Sequence, residues 1–380
     1  MEEKNKRKKL LLSAAGGFIL IGLIFFFYWL QVLRFQEYTD DAYVNGNKVE
    51  LMPQVSGIVS SIYVDNTDYV KENQVILELD KTDFQLVLEK SVHSLGETVR
   101  QVIQMFLKVE EQEAELTVRK AALVQAEQDY ENRVSLVSVG GVSKEEFEHM
   151  ESARLMAYGA YQEVERSLQA TAALVQNTTV RTHPLVLQAV DQVKDAWINL
   201  KRCEVVSPVS GYIAMRQVQL GESVSPGTPL LAIIPLSDLW VDANFKEVKL
   251  SKMRRGQPVQ ILSDIYGGDV IFRGKVIGIN PGTGSVFSAL PPQNATGNWI
   301  KIVQRVPVRI SLDPDQIKKN PLWPGLSMDV TVDIHDTSGE MLAEEKCSQP
   351  LYQTAVYKGQ EEGAATLIEA VIQENIGSYE

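Results

Sequence analysis

Four histidines are the first candidates for chemistry: His93, His149, His183 and His335. A metal site or a general base built from them would need ligand spacing on one element, such as i and i+4 on a helix, and no two share it. Two fall on heptad-patterned stretches, one precedes a proline and one lies near the tail, so solvated or structural roles are expected. Pro281-Gly282-Thr283-Gly284-Ser285 has the glycines of a phosphate-cradling loop but lacks the following Lys-Ser/Thr pair, and reads as a flexible β-loop. Asn177-Thr178-Thr179 and Asn294-Ala295-Thr296 match glycosylation acceptors, tripeptides that arise often by chance. Cys203 and Cys347 are too few for a disulfide framework. No nucleophile–base set stands out. The expectation is a chain that is not an enzyme, with no metal and no cofactor.

What the sequence carries instead is a repeated β-rich motif. Pro53-Gln54-Val55-Ser56-Gly57-Ile58-Val59 runs on to Val64, Val70 and Leu77, and Ser207-Pro208-Val209-Ser210-Gly211-Tyr212-Ile213 runs on to Val218, Val224 and Leu231. A constant offset of 154 residues maps Gly57 to Gly211, Val59 to Ile213 and each later apolar position to its counterpart, with no gap. Neither copy can bury its apolar face alone, so the two must close on each other, and the segment between them must leave and return to one place. An antiparallel helical hairpin does that.

At 380 residues the chain could hold two or three domains, and its 44% apolar fraction is that of a folded protein. The net charge of −12 argues against nucleic-acid binding, which needs a basic face. Positive charge gathers at the start, in Lys4, Lys6, Arg7, Lys8 and Lys9. Leu10 to Leu33 then runs without a charge, ~36 Å of helix against a ~30 Å hydrocarbon core. Tyr28 and Trp29 sit near its far end as interfacial aromatics. The expectation is a basic cytoplasmic tail at 1–9, one uncleaved transmembrane helix at 10–33, and the rest of the chain outside.

From Leu88 a heptad series reads Leu88, Leu95, Val102, Val109, Leu116, Leu123, Tyr130 and Val137, with a partner series Val92, Val99, Phe106, Glu113, Lys120, Glu127 and Val134. This is the narrow seam of a coiled coil, with a polar middle. The return series are Phe147, Tyr161, Leu168 and Val175, interrupted by Arg154, and Met150, Ala157 and Val164. Thr182-His183-Pro184 predicts a kink or restart. A helix from about Thr82 to Val137 would be ~84 Å long, which suits a projecting stalk rather than a compact core. Its turn falls at Val137-Ser138-Val139-Gly140-Gly141-Val142-Ser143, with Ser143 and Glu146 forming a capping box for the return helix. These residues either only build the turn or meet a partner end-on, and the apolar Val139 and Val142 lean toward the second.

The two halves, 49–80 and 203–236, make a small β-sandwich resembling biotinyl and lipoyl carrier domains. Lys81 does follow Asp80 at the end of the first half, where a carrier would present its modified lysine. The joining hairpin of a carrier is here replaced by the helical stretch 81–202, which argues against that role. Residues 237–335, with an early strand at 38–48, alternate like a small barrel broken by Gly and Pro. The tail 336–380 is acidic and weakly patterned; its spacing allows a short amphipathic helix at 365–376, and its composition leaves the rest open to disorder.

The order of basic tail, single span, half-sandwich, coiled hairpin, half-sandwich and barrel resembles the membrane fusion proteins of the HlyD superfamily, and within them the EmrA-type adaptors of multidrug efflux pumps. The residues that carry this are Thr39-Asp40-Asp41-Ala42-Tyr43-Val44, Gln54-Val55-Ser56-Gly57, Asp65-Asn66-Thr67-Asp68, Val241-Asp242-Ala243-Asn244-Phe245-Lys246-Glu247, Gly282-Thr283-Gly284-Ser285 and Pro292-Gln293-Asn294-Ala295-Thr296-Gly297-Asn298-Trp299-Ile300-Lys301. The resemblance covers roughly residues 5–335 and leaves out the tail. It implies an α+β fold: an N-terminal transmembrane helix, a lipoyl-like barrel-sandwich hybrid with an inserted α-helical coiled-coil hairpin, and a membrane-proximal β-barrel.

It also implies partners: an inner-membrane transporter of the major facilitator class, a TolC-like outer-membrane channel, further copies of the chain, and the lipid bilayer through one span. The location it implies is the bacterial inner membrane, with the N-terminus in the cytoplasm and the bulk of the chain in the periplasm. Hairpin tips of the superfamily carry Arg, Leu four residues on, and Ser seven after that. Leu136 and Ser143 keep the last spacing, whereas Asn132 holds the arginine's place and Arg133 is one residue late. The resemblance thus places outer-channel docking on Arg133, Leu136, Val139, Gly140, Gly141, Val142 and Ser143. It makes Asn294, Thr296, Gly297, Asn298 and Trp299 a candidate loop for adaptor–adaptor or transporter contact. The same architecture serves adaptors of type I protein or peptide secretion, which stands as the alternative.

Overall fold

The computed structural model describes residues 2–137, 140–284, 286, 303–342 and 348–377. Helix α1 (Glu2–Gln31) opens the chain. Among the described residues one helical stretch, Ala14–Phe35, is long and apolar enough to cross a membrane, with mean hydropathy 2.1 and none of it buried by the rest of the chain. Phe18, Ile21 and Phe25 lie open on its surface. Such a surface suits a hydrocarbon solvent.

A single turn of 3-10 helix (Leu33–Phe35) leads from α1 straight into β1 (Gln36–Gly46), the first strand of a closed six-stranded barrel. Its order is β1, β10 (Leu239–Lys246), β13 (Arg305–Leu312), β12 (Gly267–Ile279), β11 (Pro258–Ser263) and β14 (Ser327–Asp333), which returns to β1. The period-2 alternation sets the inside: Leu239, Val241, Ala243 and Phe245 of β10 are buried while their neighbours are not. Gln36 pairs with Asp333 and Ala42 with Ala243, so strands from the two ends of the chain close one barrel, and a short helix, α5 (Pro314–Lys319), links β13 to β14.

The repeated halves interleave. One sheet runs β2 (Val49–Leu51), β9 (Leu231–Ile234), β7 (Gly211–Arg216), β4 (Tyr69–Val70); the other runs β6 (Glu204–Val206), β5 (Val75–Leu79), β3 (Gly57–Ile62), β8 (Ser223–Val224). Each sheet therefore takes strands from both copies. The matched positions Val59 and Ile213, Val64 and Val218, Val70 and Val224, and Leu77 and Leu231 are all buried in the same core. This is the closure that the offset of the repeat demands.

The hairpin grows from this sandwich as α2 (Thr82–Val137), α3 (Lys144–Val175) and α4 (Pro184–Lys201). At its root Lys81 Nζ lies 2.7 Å from Glu204 Oε1 and 3.3 Å from Glu78 Oε1. Burial by itself pulls the Lys81 ammonium down, but hydrogen bonds to Glu204 and Glu78 outweigh it and hold the group above its ordinary value. Lys81 is thus an ion-pair anchor between the two halves. His183, buried, joins α3 to α4: its Nδ1 accepts from the Leu185 N–H at 3.2 Å and its Nε2 faces the Leu174 carbonyl at 3.1 Å. A carbonyl can only accept, so the proton sits on Nε2. Pro184 supplies the first helical position beyond it.

Two expectations need correction. The seam does not keep to a fixed heptad. After Phe106 the partner series Glu113, Lys120, Glu127 and Val134 faces solvent, and Gln112, Ala126 and Arg133 take its place. From Phe106 through Val109 to Gln112 the seam takes two successive steps of three, a stammer that moves the partner series one residue toward the N-terminus while Leu116, Leu123 and Tyr130 keep theirs. In the acidic tail the short helix expected at 365–376 forms as α6 (Ala364–Ile376), but it is packed rather than loose: it buries Ala364, Ile368, Val371, Ile372 and Ile376 against the hairpin base.

Candidate docking site at the hairpin tip

The tip is built by two matched helix ends. Gly140 takes φ +76°, and its N–H reaches the Val137 carbonyl at 3.2 Å while the Gly141 N–H reaches the Leu136 carbonyl at 2.9 Å. These two bonds are the Schellman closure of a helix C-terminus, which needs a left-handed residue and so a glycine. Ser143 starts the return: its Oγ accepts from the Glu146 N–H at 3.1 Å.

Closure leaves apolar side chains outward. Val134, Leu136 and Val137 are 46%, 44% and 39% exposed on the last turn of α2, and Val142 is half-buried beside them. Arg133 points elsewhere. Its Nη1 bonds the Asp129 carbonyl at 3.2 Å and approaches Asp129 Oδ1 at 3.5 Å, one turn back along its own helix. Leu136, Gly140, Gly141, Val142 and Ser143 therefore cluster at one end, with Arg133 turned back along its own helix to Asp129. Val139 and the loop residues Asn294, Thr296, Gly297, Asn298 and Trp299 lie outside the described residues. Gly57 and Gly211 belong to the sandwich at the other end of the stalk, Gly211 against the Ile234 backbone and Gly57 against the Leu79 side chain.

Sequence reasoning missed the layer that stiffens the tip. Tyr130 of α2 and Phe147 of α3 pack with ring centroids 5.3 Å apart, and the Arg154 guanidinium lies 4.5 Å over the Tyr130 ring. Arg154 looked like an interruption of the return series. It is a stacking partner, and the signal was the Tyr130 that the opposite series places at the same level.

The rim of the tip is charged. Around it run exposed pairs one turn apart, Lys144–Glu148 at 3.6 Å and His149–Glu145 at 3.9 Å. Among the described residues no group of His, Cys, Asp and Glu could hold a metal ion. The arrangement can bury apolar surface against a partner.

Two family models match the chain: the EMRA alpha-helical hairpin domain over residues 82–203 and the AAEA-like beta-barrel domain over 238–335. The multidrug export protein EmrA of Escherichia coli K12 is 43% identical over 350 residues, 92% of this chain and 90% of that protein. This chain belongs to the EmrA family of membrane fusion adaptors. The fatty acid resistance protein FarA of Neisseria gonorrhoeae is 44% identical over 296 residues, covering 78% of this adaptor and 75% of FarA. The solved structure of the periplasmic adaptor protein EmrA matches 79% of this chain and 99% of that one, at 22% identity and a TM-score of 0.39. The adaptor is thus of the multidrug-export kind, its relatives are adaptors rather than enzymes, and its apolar N-terminal helix fits a single-pass anchor.

Proposed function

We propose that this adaptor bridges an inner-membrane, proton-driven transporter of the major facilitator class and a TolC-like channel of the outer membrane. Several copies encircle the pump axis and the hairpin tips dock on the channel. The N-terminus lies in the cytoplasm and everything after the span in the periplasm. The observation that carries the reading is one continuous path. An anchor helix leads within one turn into a barrel, the barrel into the sandwich, and the sandwich into a 56-residue helix whose last turn exposes Leu136 and Val137. Apolar side chains left open at the end of a long stalk suit an end-on contact.

The test is a deletion strain scored twice, for sensitivity to hydrophobic toxins and for loss of any exported protein. Gain of toxin sensitivity is the expected result. Loss of protein export alone would reassign the adaptor to secretion. Purification of the assembled pump through a tag on this chain should bring down both membrane partners and give their stoichiometry.

A further inference from the structure

We propose that the C-terminal segment, residues 336–342 and 348–377, is a strap that fixes the angle of the hairpin on the sandwich. It is attached at three places. On the barrel, Gln257 Nε2 donates to the Asp336 carbonyl at 2.6 Å and the Arg255 N–H to the Glu340 carbonyl at 3.0 Å. On the sandwich, Thr354 Oγ1 donates to Glu72 Oε1 at 3.0 Å. On the hairpin, α6 lays Ile368, Val371, Ile372 and Ile376 into an apolar groove formed by α2 and α4.

The third attachment is built in detail. Arg181 Nη1 bonds both carboxylate oxygens of Glu369, at 2.6 and 2.8 Å, and its Nη2 bonds Gln373 at 2.7 Å. Arg100 reaches Asn375 at 2.5 Å. Gly96 lets Asn375 come close, since a Cβ there would sit 3.0 Å from Nδ2. Gly363, at φ +91°, turns the chain into α6 against the Trp197 ring, where a Cβ would be 2.8 Å from Cζ2. A loosely associated tail would not need a left-handed glycine pressed on a tryptophan ring and an arginine shared between Glu369 and Gln373.

Geometry says what the attachment does. The hairpin joins the sandwich through two chain crossings, at 80–82 and 201–204, and two crossings form a hinge rather than a rigid joint. α6 grips α2 at Leu95 to Val102, about 20–30 Å beyond Thr82 along the helix. A tether that far from the hinge resists swing of the stalk far more than contacts at the hinge itself. The strap is thus a positioning element outside the two regions that the family models match.

The test uses the full chain with Cys347→Ser, leaving the buried Cys203 thiol in place, and spin labels at Val118→Cys on the hairpin and Leu220→Cys on the sandwich. These two residues are 67% and 69% exposed. Electron–electron distance measurement should give one narrow distribution. Ending the chain at Gly363, or cutting it after folding at a protease site inserted between Lys358 and Gly359, should abolish the narrow peak and leave a broad one. Helical content should be retained in the cut chain. A narrow peak that survives the cut overturns the strap, and so does a broad one in the intact chain. Because the cut follows folding, it decides the matter even where the shortened chain fails to fold. The readout is independent of toxin export, so it does not stand or fall with the proposed pump.

Discussion

Gly211 lies against the backbone of Ile234 so closely that a Cβ would stand 2.6 Å from the Ile234 carbonyl oxygen and 2.9 Å from the Pro235 nitrogen. Its repeat counterpart Gly57 faces the Leu79 side chain instead, with a Cβ 3.3 Å from the Leu79 Cβ. Backbone atoms cannot step aside as side chains can. Gly211→Ala should therefore destabilise the sandwich by about 3 kcal/mol and Gly57→Ala by about 1 kcal/mol, the two ends of the overpacking range. Thermal melts of the two purified variants check this, and the prediction fails if Gly57→Ala melts lower.

Gln112 sits in the hairpin seam, 8% exposed. Its Nε2 donates to Ser167 Oγ at 2.8 Å, while its Oε1 has no protein partner. Leucine has similar volume and no acceptor to desolvate, and the exposed Ser167 can turn to solvent. Gln112→Leu should stabilise the hairpin by about 1 kcal/mol, whereas Gln112→Ala loses packing and should destabilise it by a similar amount. A lower melting temperature for the leucine variant would instead give Gln112 a role in fixing the register of the two helices.

The same residue shows where reading the sequence worked and where it stopped. The series Leu95, Val102, Leu116, Leu123 marked the buried stripe well, because apolar side chains announced it. Gln112 and Arg133 stayed hidden, because a polar residue in a seam looks like a polar residue outside one until the one-residue register shift after Phe106 is known. The sandwich was legible since the ungapped offset of 154 pairs buried positions one to one. The ordered tail was only half legible. Ile368, Val371, Ile372 and Ile376 have helix spacing, but the groove that receives them is shared between α2 and α4, which stand far from α6 in the chain. At the tip, residue types gave the turn and its caps. The Arg154–Tyr130 stack needed the relative height of two antiparallel helices, which depends on the length of the turn between them.

Cys203 is fully buried under the hairpin root, and burial pushes its thiol up to about 11 from an ordinary 9.0. A thiol whose folded value is raised stays protonated where the unfolded chain would ionise. The stability it contributes is complete below pH 9.0 and is lost as pH rises from there toward 11. At pH 8 it should resist iodoacetamide in the native Cys347→Ser chain and react on adding urea. Prompt native labelling would mean that the root opens locally.

Leu136 carries the proposed docking contact most directly. It is 44% exposed, its backbone carbonyl is already used by the Gly141 N–H, and its side chain makes no demand on the fold. Leu136→Asp should leave expression, anchoring and hairpin melting unchanged. At a contact that loses water on assembly, an unpaired carboxylate costs on the order of 2–5 kcal/mol, enough to lower docking by at least tenfold. The strain should lose toxin resistance, and the outer channel should no longer co-purify. Leu136→Met keeps the apolar surface and should retain both. Arg133→Ala, which removes a side chain bound to Asp129 on its own helix, should have a much smaller effect than Leu136→Asp. If resistance survives Leu136→Asp but not Arg133→Ala, the contact is made on the flank of the hairpin and not at its end.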